Sequence, residues 1–268
     1  MTIERIPQQR IDEAVALLRR IEKEFAPAAF ANSLGAEDMV LTDLIARHTP
    51  GIEMFTLDTG RLHEETYRLM QQVADQYDQP LRVYFPRPEA VQQYATAHGV
   101  NGFYDSVESR KACCQARKVE PLGRALKGKT AWITGLRREQ AVTRRELPER
   151  EFDAAHGIEK FNPLAAWSEA EVWAYLHAYG VPYNELHESG FPSIGCAPCT
   201  RALAAGEDVR AGQHQRAGDF RDEALVSTHE RDVARGSGDH RRFAFAALDP
   251  APVAGGMLDG LFGRDQHR

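Results

Sequence analysis

Hydrophobic positions along the chain follow two alternating patterns. Apolar side chains three or four residues apart predict helices over six stretches. These stretches are 11–24, 37–47, 63–78, 88–97, 110–126 and 168–179. Short apolar runs typical of buried strands lie between them at 28–31, 52–57, 81–85 and 130–134. Strands that alternate with helices in this way predict an α/β fold built on a doubly wound, mostly parallel sheet.

Three loops at the carboxyl ends of these strands are predicted to meet on one ligand, because open α/β sheets bind ligands there. The first loop is 32–38, where a strand ends and a helix begins near Gly35 and Ala36. Unpaired backbone N–H groups and the helix dipole attract an anion at such a position. A small-residue turn before a helix is also common without a ligand, so this loop alone favours phosphate binding only weakly.

The second and third loops add charged groups to the predicted site. Asp58 and Arg61 flank Gly60 in the second loop, where they can meet a ribose or phosphate or cap the following helix. The third loop contains Arg137 and Arg138, and the guanidinium fork matches phosphate or sulfate oxygens. Together, the three loops predict one anionic ligand.

The composition is that of an ordinary globular protein with room for a full core. The 268 residues are 43% hydrophobic and 27% charged. A formal net charge of −6 gives no support to nucleic-acid binding, which usually shows as a basic face. The chain starts with charged residues and has no run of about 18 or more apolar residues, so we expect a cytoplasmic protein without membrane contact.

Positive charge is concentrated in the middle of the chain. Basic pairs occur at Arg117-Lys118, Arg137-Arg138 and Arg144-Arg145. The clustering predicts a small anionic ligand rather than a polymer. Any single pair could equally belong to a solvated helix face.

The four cysteines form an adjacent pair, Cys113 and Cys114, and a C-x-x-C, Cys196 and Cys199. In a reducing compartment such spacings indicate metal ligands or redox thiols more often than disulfides. Neighbouring side chains in a helix diverge by about 100°, so the adjacent pair needs a site with well-separated attachment points. An iron–sulfur cubane offers them, whereas tetrathiolate zinc is normally held by two C-x-x-C segments. We favour a [4Fe–4S] cluster, with zinc and four unrelated buried thiols as alternatives.

Five motifs together resemble the assimilatory sulfonucleotide reductases, the family that reduces adenylyl sulfate (APS) or phosphoadenylyl sulfate (PAPS). They are Leu34-Gly35-Ala36-Glu37-Asp38, Leu57-Asp58-Thr59-Gly60-Arg61, Cys113-Cys114-x-x-Arg117-Lys118-x-Glu120-Pro121-Leu122, Thr134-Gly135-x-Arg137-Arg138 and Ile194-Gly195-Cys196-x-Pro198-Cys199-Thr200-Arg201. The resemblance covers about residues 15–212. The two cysteine pairs resemble those of the members that reduce APS.

This resemblance implies an adenine nucleotide α-hydrolase-like fold and a [4Fe–4S] cluster. It implies reduction of APS to sulfite and AMP with thioredoxin as electron donor, in sulfate assimilation and cysteine biosynthesis. It leaves the assembly state open, a homo-oligomer included.

The resemblance also implies a role for individual residues. Cys113, Cys114, Cys196 and Cys199 would bind the cluster. Lys118 would lie between cluster and substrate, and Arg210 would contact the phosphosulfate. The residues implied to bind the substrate are Leu34, Gly35, Ala36, Glu37, Asp38, Leu57, Asp58, Thr59, Gly60, Arg61, Arg117, Arg137 and Arg138.

The chain departs from the family pattern in its first loop and in its last part. Asn32-Ser33-Leu34 stands where many members have Ser-Phe-Ser, a change that keeps the backbone donors. Gln213 stands where the family has an arginine followed by a Trp-rich segment, and the C-terminal Glu-Cys-Gly-Leu-His motif with the nucleophilic cysteine is absent. No cysteine follows Cys199 in the 268 residues. Because no other side chain readily replaces a thiolate here, we expect this chain to release little sulfite.

The composition changes where the resemblance ends, after Gly212. Residues 213–268 contain no Tyr, Trp, Cys or Lys and lack clean periodicity. We therefore divide the chain into a reductase domain, residues 1–212, and an atypical tail, residues 213–268, with the composition of a loop or disordered segment. Our hypothesis is that the tail is an out-of-frame or divergent translation, which the sequence of the locus and the mass of the cellular protein would test.

Other functions are compatible with parts of the sequence. A protein that keeps the nucleotide and cluster sites without turnover would be a sensor or scaffold. A PAPS reductase would act on the 3′-phosphorylated substrate. An ATP-pyrophosphatase-type enzyme of the same fold would need a Ser-Gly-Gly-x-Asp-Ser loop, which this sequence does not contain.

Overall fold

A six-stranded sheet runs through the structure, a computed structural model that describes residues 6–140, 146–203 and 207. The strands are β1 (Ala28–Ala31), β2 (Glu53–Leu57), β3 (Leu81–Tyr84), β4 (Ala131–Ile133), β5 (Arg150–Asp153) and β6 (Ile158–Phe161). The helices are α1 (Gln8–Glu24), α2 (Ala36–His48), α3 (Glu64–Gln76), α4 (Pro88–His98), α5 (Val107–Cys114), α6 (Glu120–Leu126) and α7 (Glu169–Tyr179). The four predicted strands and the predicted α/β class are confirmed.

The strand order is β3-β2-β1-β4-β6-β5, and every pair except β5–β6 is parallel. From β1 the chain proceeds to β2 and β3 on one side, and then crosses over to β4 on the other. The sheet therefore reverses its direction of growth between β1 and β4, which makes it doubly wound as predicted. Ligands of such sheets bind at this reversal, beyond the carboxyl ends of the strands.

One face of the sheet carries the main core. Helices α1, α2 and α7 pack there, and β1 and β4 lie fully inside. Helix α2 is buried along most of its length because it lies between α1 and α7. Its sequence is accordingly apolar on several sides, as expected for a central helix.

The opposite face is covered chiefly by α6. Ala125 and Leu126 pack there on Ala29 and Phe55, with Leu57 partly buried beside them. Parallel strands buried on both faces read as continuous apolar runs, which is the pattern of β1 and β2.

The single helix predicted over 110–126 is three segments in the structure. Helix α5 ends at Cys114, a π-helical turn follows over Gln115–Val119, and α6 begins at Glu120. Pro121 has no N–H to donate to the preceding turn, which removes one α-helical bond at this point. Single π turns inside helices are frequent at functional sites, and this one directly follows the adjacent cysteines.

The antiparallel hairpin of β5 and β6 was not predicted. Its strands are four residues each, and β5 is half-exposed at the sheet edge, so its apolar pattern is weak. Among the described helices, none has the length and hydropathy needed to cross a membrane. The predicted tail, residues 213–268, lies outside the described residues, so the domain boundary stays a prediction.

Candidate functional site

The loop after β1 forms a tight backbone turn ahead of α2. Leu34 has a φ of +63°, a left-handed conformation that is uncommon for a leucine. The turn is held by Asn32, whose Oδ1 accepts from the N–H of Leu34 at 2.7 Å and whose Nδ2 donates to Thr42 Oγ1 at 2.8 Å. No described side chain caps the start of α2 at Gly35. The turn therefore directs backbone N–H groups at the position where a helix start binds an anion.

The Asp38 carboxylate joins the first loop to the third. Its Oδ2 accepts from the backbone N–H and the hydroxyl of Ser33, at 2.7 and 2.6 Å. It also accepts from the backbone N–H of Gly135. A Cβ at Gly135 would come within 2.2 Å of Asp38 Oδ1, so this approach requires glycine. Burial raises the pKa of Asp38 to about 6, although the bonds from Ser33 act in the opposite direction.

Arg137 is bound by carboxylates in this structure. Its Nε and Nη2 donate to Glu37 Oε1 at 2.9 and 2.8 Å, and Nη1 donates to Glu139 Oε2 at 3.4 Å. Nη1 also donates to the carbonyl of Trp167 at 3.3 Å. Only 5% of the Arg137 side chain is exposed, whereas Arg138 is exposed. Arg137 therefore ties the third loop to the start of α2.

The loop after β2 is held by its own polar groups. Asp58 is buried, and its Oδ1 accepts from the N–H of Gly60 at 2.7 Å and from the hydroxyl of Tyr67 at 2.9 Å. Gly60 has a φ of +69°, which glycine adopts without strain. The carboxylate is thus occupied on one oxygen by its own loop and by α3.

Thr59 connects this second loop to both cysteine pairs. Its carbonyl accepts from Arg117 Nη1 at 2.6 Å, in the π turn after the adjacent pair. Its hydroxyl lies 3.2 Å from Cys196 Sγ. Further along the same loop, the carbonyl of Arg61 accepts from the N–H of Ala197, the residue after Cys196, at 2.8 Å. The nucleotide loop and the cysteine segments are therefore in direct contact.

The four cysteines come together although they are far apart in the sequence. Cys113 packs in an apolar cluster with Tyr94 and Phe103, and Cys199 lies against this cluster. All four thiols are free of disulfides. Cys196 acts electrostatically on each of the other three thiols, which places both pairs at one site.

The pKa values of these thiols reflect their crowding. Burial, followed by the neighbouring sulfurs, raises the pKa of Cys113 and Cys199, the latter to about 11. Burial also raises the pKa of Cys114. Arg117 opposes the shift at Cys113, and Lys118 opposes it at Cys114 and Cys199. Thiolates are the form that binds metal, so the raised pKa values of Cys113, Cys114 and Cys199 favour neutral thiols when no cation is bound.

Lys118 lies beside the four thiols. The residue is exposed to solvent, and its ammonium interacts electrostatically with all four sulfurs. Burial lowers the pKa of Lys118, but the sulfurs outweigh it and the pKa lies above the usual value. The side chain is therefore charged at neutral pH.

Four free thiols are the side chains of this site that could hold a metal ion or an iron–sulfur cluster. Across residues 6–140, 146–203 and 207, no group of three or more His, Cys, Asp or Glu side chains is arranged to hold one metal ion. Thiolates are the usual ligands of iron–sulfur clusters. The residue types are therefore compatible with a cluster, which stays a prediction.

The predicted site residues lie at one end of the sheet, because the three loops follow the carboxyl ends of parallel strands. Leu57 packs in the core cluster beneath α6. The Arg61 guanidinium is engaged by the segment at 100–101. Arg144, Arg145 and Arg210 lie outside the described residues. The individual substrate contacts stay predictions.

Two tyrosines near the site were not identified from the sequence. Tyr67 binds Asp58, as described above, and the hydroxyl of Tyr104 donates to the carbonyl of Pro198 at 2.9 Å. Tyr104 and Pro198 are 94 residues apart, and no local pattern signals such a contact. Isolated tyrosines in helices and turns read as ordinary packing residues.

Known proteins resemble this chain over most of its length. Residues 27–202 match the phosphoadenosine phosphosulfate reductase domain. A protein of Allochromatium vinosum named adenosine 5′-phosphosulfate reductase is 58% identical over 200 residues, which cover 75% of this chain and 78% of that protein. A protein of the same name from Burkholderia cepacia is 52% identical over 204 residues, covering 76% and 82%.

A solved structure gives the same result. The phosphate complex of phosphoadenylyl-sulfate (PAPS) reductase from Candida auris superposes with a TM-score of 0.61 at 31% identity, and the match covers 73% of this chain and 98% of that one. The adenine nucleotide α-hydrolase-like fold expected from the sequence is thereby confirmed. On the domain match and these relatives, the chain belongs to the phosphoadenosine phosphosulfate reductase family, as its loop and cysteine motifs predict.

Proposed function

We propose that this chain is an adenylyl-sulfate reductase, which binds adenosine 5′-phosphosulfate at the reversal point of the sheet. The observation that carries the proposal is the direct contact between nucleotide loop and cysteine site, through Thr59 with Cys196 and Arg61 with Ala197. Two relatives at 58% and 52% identity bear the name adenosine 5′-phosphosulfate reductase.

The nucleotide's anionic end is proposed to lie between the start of α2 and the π turn. The N–H groups near Gly35 and the cations Arg117 and Lys118 all favour negative charge. Of the acidic residues in the first turn of α2, Glu37 is paired with Arg137, and the Asp38 carboxylate is directed into its own loop, where it accepts from Ser33. Arg138 is exposed, and its Nε donates to the carbonyl of Leu147 at 2.9 Å, which leaves one edge of the guanidinium facing solvent, where it can meet an anion.

The chemistry proposed for the family is thiolate attack on sulfur. The thiolate forms a bond to the sulfur of the phosphosulfate, the bond from that sulfur to the phosphate oxygen breaks, and AMP leaves with the electron pair. A dithiol reductant, here proposed to be thioredoxin, then attacks the enzyme sulfur with its first thiolate, which breaks the sulfur–sulfur bond and releases sulfite. Its second thiol closes the disulfide of the reductant and frees the enzyme thiolate. Fixed cations stabilise the charge that develops on the phosphate.

We propose a [4Fe–4S] cluster held by Cys113, Cys114, Cys196 and Cys199, which supplies a polarising charge beside the substrate. The convergence of four free thiols supports it. Iron, sulfide and zinc analysis and an absorption spectrum of anaerobically purified protein test the assignment. Iron and sulfide in a brown sample are expected, and a colourless zinc protein would contradict it.

The nucleophile is the open part of the proposal. All four cysteines of the 268 residues are assigned to the cluster, so none remains to attack the substrate. We therefore propose that this chain binds APS and releases little sulfite. The test is sulfite release from APS with reduced thioredoxin, alongside AMP binding by calorimetry. Binding with little sulfite is expected, and ordinary turnover would contradict the assignment of all four thiols to the cluster.

A PAPS reductase is the second candidate. It is favoured by the Candida auris neighbour, a phosphoadenylyl-sulfate reductase at 31% identity. The cysteine pairs favour APS, since the resemblance links them to members that reduce it. Calorimetry with AMP and with adenosine 3′,5′-bisphosphate separates the two: tighter binding of AMP supports APS, and tighter binding of the bisphosphate supports PAPS.

The cellular setting is proposed on chemical grounds. Thiols kept as cluster ligands require a reducing compartment, so we place the protein in the cytoplasm, in the sulfate assimilation that feeds cysteine biosynthesis. A homo-oligomer is compatible with this proposal, and light scattering of the purified protein measures its state.

A further inference from the structure

The guanidinium of Arg61 binds a segment next to the cysteines. Its Nη2 donates to the carbonyl of Val100 at 2.5 Å, and Nη1 donates to Asn101 Oδ1 at 3.2 Å. The same group lies over the ring of Phe103, 4.9 Å from its centroid. One planar face and two nitrogens of the guanidinium are used in this way, a combination that a lysine ammonium cannot reproduce.

The segment that Arg61 binds covers the cysteine site. Phe103, in the turn Gly102–Tyr104, is 3% exposed and packs with Cys113 in the apolar cluster that Cys199 also joins. The next residue, Tyr104, donates its hydroxyl to the carbonyl of Pro198 at 2.9 Å. This turn therefore contacts both cysteine pairs at once.

The backbone of Arg61 holds the second cysteine segment directly. Its carbonyl accepts from the N–H of Ala197 at 2.8 Å, between Cys196 and Cys199. Its own N–H donates to Thr59 Oγ1 at 3.3 Å, the hydroxyl that lies beside Cys196. Arg61 thus contacts the loop after β2, the turn Gly102–Tyr104 and the C-x-x-C segment.

We propose that Arg61 is a positioning residue of the cysteine centre, which orders the C-x-x-C and the Phe103 turn, and is not a ligand of the nucleotide. The inference rests on the proposed iron–sulfur cofactor. It reassigns a side chain that the resemblance gives to the substrate.

The test uses full-length protein purified without oxygen, as wild type, Arg61→Gln and Arg61→Lys. Arg68→Gln serves as a matched control, since Arg68 is an exposed arginine on α3 that pairs with Glu64. Three quantities are measured: iron and sulfide per chain, the rate at which a chelator removes iron, and the Kd for AMP. Hydrogen exchange of residues 195–200, measured on protein from which the iron has been removed, gives a fourth quantity that does not depend on the cluster.

For Arg61→Gln we expect iron loss to the chelator to accelerate by about 10-fold to 100-fold, the usual range for outer-shell partners of metal ligands. Exchange of 195–200 should also accelerate. The AMP Kd should stay within about twofold, because no phosphate contact is removed. The rates of iron loss and hydrogen exchange of Arg61→Lys should lie between those of the wild type and Arg61→Gln, since lysine keeps the positive charge but lacks the forked donors of the guanidinium. Arg68→Gln should match the wild type.

The opposite result overturns the inference. If Arg61 holds the nucleotide, the AMP Kd of Arg61→Gln rises by about 10-fold or more while iron loss and exchange stay at the wild-type rate. A wild type without iron or sulfide refutes the proposed cofactor, whereas iron-loaded wild type and variant with equal chelation rates refute the role of Arg61.

If Arg61→Gln does not fold, Tyr104→Phe tests whether the turn that Arg61 binds holds the cysteine segment in place. It removes the bond to Pro198 from the same turn without touching the second loop. Faster iron loss and faster exchange of 195–200 at unchanged AMP Kd support the inference, and unchanged rates contradict it.

Discussion

The two halves of the site are held together by different means. The nucleotide half, at the loops after β1 and β4, is fixed by buried charged groups: Asp38 with Ser33, and Glu37 with Arg137. The cysteine half consists of the end of α5 and the short turn Ala197–Cys199, which single hydrogen bonds join to the rest of the site, such as that between Thr59 and Cys196. The first half is continuous with the core, and the second is attached to it.

This difference predicts how far the effect of a substitution extends through the structure. A buried ion pair that loses one partner leaves an uncompensated charge inside the core, so the whole fold is weakened. A lost hydrogen bond between two such segments loosens those segments and leaves the sheet intact. The predictions below separate these two outcomes.

The largest effect is expected for Arg137→Met, which leaves Glu37 without its buried partner. The free energy of unfolding should fall by about 3 kcal/mol, the lower end for a broken buried pair. Urea unfolding measures it, and Arg138→Met is the control, with an expected loss below about 0.5 kcal/mol for an exposed residue. Equal losses in the two variants would contradict the role given to Arg137.

The second prediction concerns Asp38 and pH. Its pKa of about 6 lies above that of an unfolded carboxyl, so its contribution to stability is complete below about pH 4 and is lost as the pH rises through about 6. A shift of about two pKa units corresponds to about 3 kcal/mol as an upper bound.

Asp38→Asn removes this titration. Between pH 4 and about 7, the stability of the wild type should therefore fall by up to about 3 kcal/mol relative to the variant, in urea unfolding at each pH. Parallel pH profiles for the two proteins would show that Asp38 titrates normally.

The sequence was sufficient to locate the nucleotide half, but not to predict which side chains bind one another within it. The strand-loop-helix pattern placed 32–38 and 135–140 at the same edge of the sheet, and the topology confirms that placement. The pattern also indicated that Arg137 faces a ligand, but its guanidinium is bound by Glu37, 100 residues away. Pairing over such a distance depends on the tertiary fold, which local periodicity does not encode.

The cysteine half was predicted by residue type more than by pattern. The spacing of the cysteines indicated a metal site, and the structure brings the four thiols together. Helical structure does extend over 110–126, but the π turn within it was not predicted. A single wider turn changes the spacing of the apolar side chains too little to be recognised in the sequence.

The third prediction tests how closely the two loops of the nucleotide half approach. Gly135→Ala would place a Cβ 2.2 Å from Asp38 Oδ1 and 3.0 Å from Glu37 Cβ. The carboxylate must move away from Ser33, at a cost of about 1–3 kcal/mol. Gly123→Ala is the control. Gly123 lies in α6, and a Cβ at this position would have no neighbouring atom within 4 Å, so the change should be neutral or slightly stabilising. A neutral Gly135→Ala would mean that the loops are not in contact.

The smallest effect is expected where the two halves meet, at Thr59→Val. Thr59 is 1% exposed, and valine has nearly its shape, so the change removes only the hydroxyl beside Cys196 and Arg61. Stability should fall by about 1 kcal/mol for these hydrogen bonds. Iron should be lost to a chelator about 10-fold faster, since the cysteine segment is freed on one side.

Thr59→Ser keeps the hydroxyl and should restore the wild-type rate of iron loss even if it packs less well. This pair of variants isolates the hydroxyl bond from the shape of the side chain. If valine and threonine retain iron equally, the nucleotide loop does not support the cysteine segment through Thr59, and the two halves of the site act separately at this point.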